Sequence, residues 1–383
     1  MKICFKDVPV LRDGKIEKGA LFIADGAIVP PFEDVAPTTI PEGTIICPGF
    51  IDLQVNGGWG IDCSLGGQNL QELADHLAAS GVTSFLATIV SQPLASYDSI
   101  LASYPKDNPQ LVGIHLEGPH INKILRGAHL AANIQAKVEL PFWEKMVDKY
   151  APLIVAVTLA PELDGALDLI EYLSEHAVIA AIGHSHGFGK TLEGAKHFGA
   201  KLYSHFFNCM KPFHHRVSGP TGFVLGERAL PYTMICDGHH VDDATIKMAW
   251  NAHQDGFMII SDLSPAYGTS GNATLGGAPI EQAQGASFVK GSTTLSGGML
   301  PLNLAVKKFK EITSVSLEDA VQCVTKKPAK ILGLEGKKGE LKVGADADFI
   351  LLHPDTFEVD GCWLRGSLHG PSCNPALHAA LGP

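Results

Sequence analysis

Gly183-His184-Ser185-His186-Gly187, followed by Ser204-His205-Phe206-Phe207-Asn208 and then His214-His215-Arg216, is the stretch that decides the fold. Each of the first two clusters stands directly behind a short apolar run. Val178-Ile179-Ala180-Ala181-Ile182 precedes one, and Ala200-Lys201-Leu202-Tyr203-Ser204 runs into the other. The spacing predicts a helix between them, over Lys190 to Phe198. Strand, polar loop, helix, strand, polar loop is the grammar of a parallel α/β fold, in which side chains at the carboxyl ends of neighbouring strands converge. Neutral imidazole is the commonest metal-binding side chain, so His184 and His205 together mark a candidate metal site. A single histidine in such a place would not, because most are hydrogen-bonded core or surface residues.

Working outward, the same alternation covers the middle of the chain. Apolar strand candidates fall at Phe50 to Val55, Thr83 to Ile89, Leu111 to Leu116, Leu153 to Leu159, Val178 to Ile182, Leu202 to Ser204, Tyr232 to Cys236 and Phe257 to Ser261. Helical patterns lie at Leu70 to Ser80, Leu94 to Tyr104, Leu140 to Tyr150 and Ala166 to His176. Strands in this number predict a (β/α)8 barrel, which takes about 250 residues and carries its active site on the loops after the strands. A doubly wound open sheet is the alternative. Upstream, Asp13-Gly14 and Asp25-Gly26 are hairpin signals between β segments at Ile3 to Val10, Lys15 to Ile23 and Ala27 to Val29. After a helical stretch from Pro301 to Leu332, β signals return at Gly339-Glu340-Leu341, Asp348 to Leu352 and Phe357 to Leu364. The expected organisation is therefore an α/β barrel over 48–335, with a small β-sandwich domain assembled from 1–47 and 336–383.

Composition narrows the function. With 29 basic and 40 acidic residues among 383, the formal charge is −11, which argues against a general nucleic-acid or membrane-surface role. No apolar run approaches the ~20 residues of a membrane span. The first residues lack a signal-peptide core, so a cytoplasmic protein is expected. Its eight cysteines (Cys4, Cys47, Cys63, Cys209, Cys236, Cys323, Cys362 and Cys373) are scattered and read as reduced packing residues.

Placed on the strand list, the polar residues fall where barrel chemistry occurs. Glu117 follows the third strand candidate, His184 the fifth, His205 the sixth and Asp262 the eighth. One carboxylate and two imidazoles make a three-ligand catalytic set of the zinc type, with a position left for water. Asp262 is then the acid/base partner.

Several segments carry a more specific resemblance. They are Pro48-Gly49-Phe50-Ile51-Asp52-Leu53-Gln54-Val55-Asn56-Gly57, His115-Leu116-Glu117-Gly118-Pro119-His120, Gly127-Ala128-His129, Gly183-His184-Ser185 and His205-Phe206-Phe207-Asn208. Further along come Asp237-Gly238-His239-His240-Val241, Ser261-Asp262, Lys327-Pro328-Ala329 and Gly344-Ala345-Asp346-Ala347-Asp348. In this order the chain resembles the N-acetylglucosamine-6-phosphate deacetylases of the amidohydrolase superfamily. The resemblance implies a barrel with a terminal β-sandwich, and Glu117, His184 and His205 as ligands of one divalent metal. Zinc is the first choice, with iron(II), manganese and cobalt as alternatives. Asp262 is implied as the catalytic aspartate and His129 as the group that meets the acetyl carbonyl. Asn56, His129, Asn208, the adjacent Cys209, Arg216 and His240 are implied as substrate contacts. Arg216 is expected to reach the phosphate of a neighbouring subunit's substrate, which implies a homodimer. His115, His120, His186 and His239 read as supporting or surface groups.

Two departures matter. Where many amidohydrolases carry His-x-His after the first strand for a second metal, this chain has Gln54-Val55-Asn56, and neutral amides are poor ligands, so one tightly held ion is expected. The second is the bulky Leu263-Ser264-Pro265-Ala266-Tyr267 segment behind Asp262, which bears on sugar selectivity. The expected reaction is hydrolysis of the acetamide of N-acetylglucosamine 6-phosphate. The alternatives are the enzyme for its galacto epimer, a two-metal cyclic-amide hydrolase, and a catalytically inactive scaffold acting through protein contacts.

Overall fold

A computed structural model describes Lys2 to His369. Met1 and residues 370–383, with Cys373 and the end of the expected C-terminal segment, lie outside the described residues. Contacts divide the chain into two compact units. One holds the residues up to Asp52, Gln71–Phe85 and those from Pro301 onward; the other holds Leu53–Leu70 and Leu86–Leu300.

The eight-stranded parallel sheet runs in sequence order through Phe50–Val55, Val82–Val90, Leu111–Glu117, Ile154–Leu159, Ile179–Ile182, Leu202–Tyr203, Tyr232–Ile235 and Phe257–Ile260. All eight strands predicted for the barrel are present. The reason is burial on both faces, which favours mainly apolar strands: all residues of Val82–Val90 and of Phe50–Val55 are buried, the few polar ones included. A parallel bridge between Val55 and Leu263 brings the chain after the eighth strand back to the end of the first, so the sheet is a nearly closed barrel.

Between strands the helices bury one stripe each. Leu140–Tyr150 turns Trp143, Met146, Val147 and Tyr150 inward, and Ala166–Glu175 turns Ala166, Leu169, Ile170 and Leu173 inward, both at helical spacing. Each such large side chain contributes about 1.5–3 kcal/mol on burial. The predicted Leu94 to Tyr104 helix is instead a 3-10 turn, Leu94–Ser96, followed by a short helix, Tyr97–Ala102.

The terminal segments form one seven-stranded sheet. Its order is Ser367–His369, Val359–Leu364, Phe349–Leu352, Ile45–Pro48, Lys2–Arg12, Lys15–Ala24 and Ala27–Ile28. Phe349–Leu352 pairs antiparallel with Ile45–Pro48, and this pairing joins the two ends of the chain. Asp13 and Gly14 both take positive φ, as do Asp25 and Gly26, which is the backbone of the two-residue hairpin turn the sequence predicts. Ile3 and Phe5 face the core, a bulge with Asp7 at φ +57° resets the alternation, and Val8 and Val10 then face it. Phe349 stacks on Trp363 at 4.7 Å, with Phe5 edge-on at 5.6 Å to Phe349. Gly339-Glu340-Leu341, expected as β, is a turn, with Gly339 at φ +76°.

A three-stranded antiparallel sheet, Ala273–Leu275, Ala278–Ala283 and Ala286–Val289, follows the eighth barrel strand. The sequence reading missed it. Among the described residues the cysteines form no disulfide, and all but Cys209 are buried, as expected of packing residues.

Candidate active site

Chemistry-bearing side chains collect at the carboxyl ends of the barrel strands. Glu117 is the last residue of the third strand; His184, His205 and Asp262 stand two residues past the ends of the fifth, sixth and eighth. Those three hold φ of +48°, +29° and +47°. Left-handed backbone in such residues costs about 1–3 kcal/mol each and concentrates at functional sites, where the fold over-determines it. The strain turns each side chain off the strand direction and into one cavity.

That cavity measures about 210 Å³, seven waters' worth at ~30 Å³ each and the scale of one small substrate. Nine of the ten site residues predicted from sequence line it: Asn56, Glu117, His129, His184, His205, Asn208, Cys209, His240 and Asp262. Arg216 does not; it is exposed on the 214–217 turn, between exposed Phe213 and Val217. Among the described residues no lysine or arginine lines the cavity.

Glu117 is the electrostatic centre. Its Oε1 lies 3.0 Å from His184 Nε2 and 2.7 Å from His205 Nε2, and its Oε2 lies 3.6 Å from His129 Nε2. Burial alone would raise the Glu117 pKa, but the contacts with His129, His184 and His205 outweigh it and hold the carboxyl well below its usual range. Glu117, His129 and His184 offer ligand atoms that all lie within 4.8 Å of one another, a grouping that could hold a metal ion.

The hydrogen bonds of each ring distinguish their roles. His184 Nδ1 donates to Leu125 O at 2.7 Å, which turns Nε2 towards Glu117 Oε1 at 3.0 Å. That contact is an N–H donated to the carboxylate, and a divalent cation held by the two groups would take the place of the proton. His205 Nε2 approaches the same oxygen, while its buried Nδ1 has no hydrogen-bond partner. His129 is the opposite case. Its Nδ1 accepts from the Ser91 backbone N–H at 3.1 Å, with Ser91 Oγ 2.8 Å away, so the proton sits on Nε2, which enters the cavity as a donor. A buried carboxylate and two buried imidazoles, whose Nε2 atoms become lone-pair donors on deprotonation, fit a catalytic divalent site, and the His129 tautomer argues for a different task for that ring.

Asp262 is held from two sides. Asn56 Nδ2 donates to its Oδ1 at 2.8 Å, and Gly298 N–H donates to its carbonyl at 2.7 Å. Burial first, and then the Glu117 charge, push the Asp262 pKa up to about 6 against the opposing pull of His205, His240 and Asn56. His240 Nδ1 donates to Asp237 Oδ2 at 2.7 Å. Burial opposes its charge, but Asp237 outweighs burial and raises the His240 pKa.

The remaining histidines fall elsewhere. His115 is buried on the third strand, 2.7 Å from Thr158 Oγ1, and His120 packs against Trp143. His239 is exposed, and His186 does not line the cavity. Sequence reasoning missed one wall: Leu275 from the three-stranded sheet and Thr293, Thr294, Leu295 and Gly297 behind it. Gly276-Gly277, both at positive φ, was the available hairpin signal. The hydroxyls of Ser264, Ser287 and Ser296 are linked at 3.0 and 2.7 Å and fasten that wall to the loop after Asp262.

A parallel barrel with a carboxylate–imidazole cluster that could hold a metal ion, and a buried aspartate at its strand ends, fits a metal-dependent hydrolase, and the chain belongs to the amidohydrolase family, whose model it matches over residues 45–369. Within that family it is similar to the N-acetylglucosamine-6-phosphate deacetylase of Homo sapiens, 35% identical over 389 residues covering 95% of this chain and 94% of that protein. Among solved structures it is similar to the N-acetylglucosamine-6-phosphate deacetylase of Thermotoga maritima, with TM-score 0.86 and 28% identity over 96% of this chain and 99% of that one. It is likewise similar to a mutant of the Mycobacterium smegmatis enzyme in complex with N-acetyl-D-glucosamine-6-phosphate, with TM-score 0.89 and 25% identity over 97% of this chain and 100% of that one. The family read from the sequence motifs and the barrel with its terminal sheet are both borne out.

Proposed function

We propose that this chain hydrolyses the acetamide of N-acetyl-D-glucosamine 6-phosphate to glucosamine 6-phosphate and acetate, a step of amino-sugar breakdown. The observation that carries the reading is the Glu117–His184–His205 cluster facing Asp262 and the His129 donor in one small cavity, in a chain so similar to enzymes named for that reaction. Glu117, His184 and His205 would hold one divalent ion. Zinc is the first candidate, and iron(II), manganese and cobalt suit the same donors. Bound there, the ion supplies Lewis acidity and brings the pKa of water down to about 7.

This chain's own groups do the rest. Asp262, with its pKa near 6, takes a proton from the attacking water and returns one to the departing amine as the C–N bond breaks. Asn56 keeps that carboxylate aimed. His129 Nε2–H donates to the acyl oxygen as negative charge develops on it, and the Ser91 N–H keeps the proton on that side of the ring. His240 on Asp237, with Asn208 and Cys209, contacts the sugar phosphate.

The phosphate needs more cationic partners than the cavity holds. Arg216, exposed beside Phe213 and Val217, supports a homodimer in which each copy lends Arg216 to its neighbour. A cytoplasmic location, no nucleic-acid or membrane partner and domain extents of 1–47 and 336–383 around 48–335 belong to the same reading. Among the described residues no helix is long and apolar enough to cross a membrane. The galacto epimer is not favoured as substrate, since relatives at 35% identity bear the gluco name. Nor is an inactive scaffold favoured, because the proposed ligands and Asp262 are all in the cavity.

The test is acetate release by zinc-reconstituted protein from N-acetylglucosamine 6-phosphate, its galacto epimer and unphosphorylated N-acetylglucosamine. Release from the first well above the other two supports the reading. Release from none, or equally from the unphosphorylated sugar, overturns it.

A further inference from the structure

Glu162 lies three residues past the fourth barrel strand and does not line the cavity, yet three donors converge on its carboxylate. Asn122 Nδ2 at 3.0 Å and the His186 backbone N–H at 2.7 Å reach Oε1; Ser185 Oγ at 2.7 Å reaches Oε2. Two of these donors belong to the residues directly after His184. The third belongs to the turn that holds the His184 ring.

The turn works as follows. Asn122 N–H donates to the His184 carbonyl at 2.9 Å, and Asn122 Oδ1 caps Ile124 N–H at 3.0 Å. The resulting 3-10 turn, Lys123–Leu125, presents Leu125 O to His184 Nδ1 at 2.7 Å. On the other branch, Ser185 Oγ also accepts from Gly187 N–H at 2.8 Å, and Ser185 N–H donates to Cys209 O at 3.1 Å. Glu162 is therefore bonded both to the backbone that follows His184, itself at φ +48°, and to the turn that fixes the proton on its Nδ1.

We infer that Glu162 is a positioning residue for the metal centre, setting the ring orientation and tautomer of His184 through Ser185-His186 on one side and Asn122–Leu125 on the other. The inference rests on the reading of His184 as a metal ligand. Groups that orient a ligating imidazole from behind typically change metal affinity by 10–100-fold when removed, because the ring must then be ordered by the ion itself.

Cobalt(II) titration of the metal-stripped full chain tests this, reading both affinity and the visible ligand-field spectrum of the bound ion. Glu162→Ala is expected to weaken cobalt binding about 10–100-fold and to alter the spectrum. Glu162→Gln recovers most of the affinity, since its amide oxygen can keep the bonds from Asn122 and His186. Asn122→Ala, which breaks only the Leu125 branch, serves where Glu162→Ala fails to fold, and it too weakens binding and shifts the spectrum. Wild-type affinity and spectrum in the Glu162→Ala and Asn122→Ala proteins overturn the inference, even if their melting temperatures fall. His184→Ala separates the two readings. If it loses cobalt while the other variants bind normally, only the positioning role fails; if it too binds like wild type, the ligand assignment fails with it.

Discussion

Replacing Asp237 by asparagine removes the charge that keeps His240 protonated while leaving the shape of the site intact. Asp237 Oδ2 accepts from His240 Nδ1 at 2.7 Å, and Oδ1 accepts from the His239 and His240 backbone N–H groups at 2.9 Å each. Burial raises the Asp237 pKa, but these bonds outweigh it and bring the carboxyl from 3.8 down to about 2. A little under two units, at about 1.36 kcal/mol each, is about 2 kcal/mol of net preference for charged Asp237, with the His240 side chain its largest favourable source. The His240 pKa is raised, so its favourable charge is fully present below 6.5 and is lost only as pH climbs through the raised value. Without Asp237 the buried ring falls below 6.5 and loses its charge at neutral pH. About 2 kcal/mol corresponds to roughly 30-fold in substrate affinity if His240 binds the sugar phosphate as a cation. The assay is KM for N-acetylglucosamine 6-phosphate from pH 5.5 to 8.5. The Asp237→Asn protein should show KM raised about 30-fold near pH 7.5, with the gap narrowing towards pH 5.5 as the ring recovers its proton. Superimposable KM profiles, or the same deficit at both ends of the range, refute the reasoning.

Two other perturbations have signed outcomes. Burial pushes Asp62 up to about 6 despite bonds from Ser64 N–H, the Thr274 hydroxyl and Gly277 N–H. The native state therefore keeps a proton that the unfolded chain has released, and this contribution is present below pH 3.8 and lost as pH rises to about 6. The two-unit difference is worth about 3 kcal/mol, so denaturant titrations of Asp62→Asn should lack a decline of that order between pH 4 and 6.5 that wild type shows. Gly297, at φ +83°, would bring an added Cβ to 2.8 Å from the Asp262 carbonyl. Gly297→Ala is expected to lower kcat at least tenfold, about 1.4 kcal/mol, with zinc still bound; unchanged kcat would mean that the Asp262 loop is free to move.

The barrel was legible because its strands are buried on both faces and so read as mainly apolar runs, Tyr232–Ile235 and Phe257–Ile260 among them, with only small or neutral polar residues breaking Val82–Val90. The terminal sheet was legible through Asp-Gly turns whose backbone needs positive φ. The sheet at 273–289 was not: its middle strand, Ala278–Ala283, buries only Ala278 and Ile280 and carries a proline at its second position. At the site, Glu117, His184, His205 and Asp262 could be placed because strand ends converge. Roles set across the fold could not be read in advance. The His129 tautomer depends on Ser91, 38 positions upstream, and the His184 ring is held through Glu162 and Leu125. No local pattern joins residues so far apart in sequence.

The central claim is that this cavity performs metal-dependent deacetylation with Asp262 as the proton carrier. The most direct measurement strips the protein with a chelator, titrates zinc back and follows acetate release from N-acetylglucosamine 6-phosphate, with Asp262→Asn in parallel. The account predicts activity that rises to a plateau at one zinc per chain, and a variant that binds zinc equally well but turns over about 10²–10⁴-fold more slowly. Acetate release that persists in the stripped protein, or survives in Asp262→Asn, would contradict it.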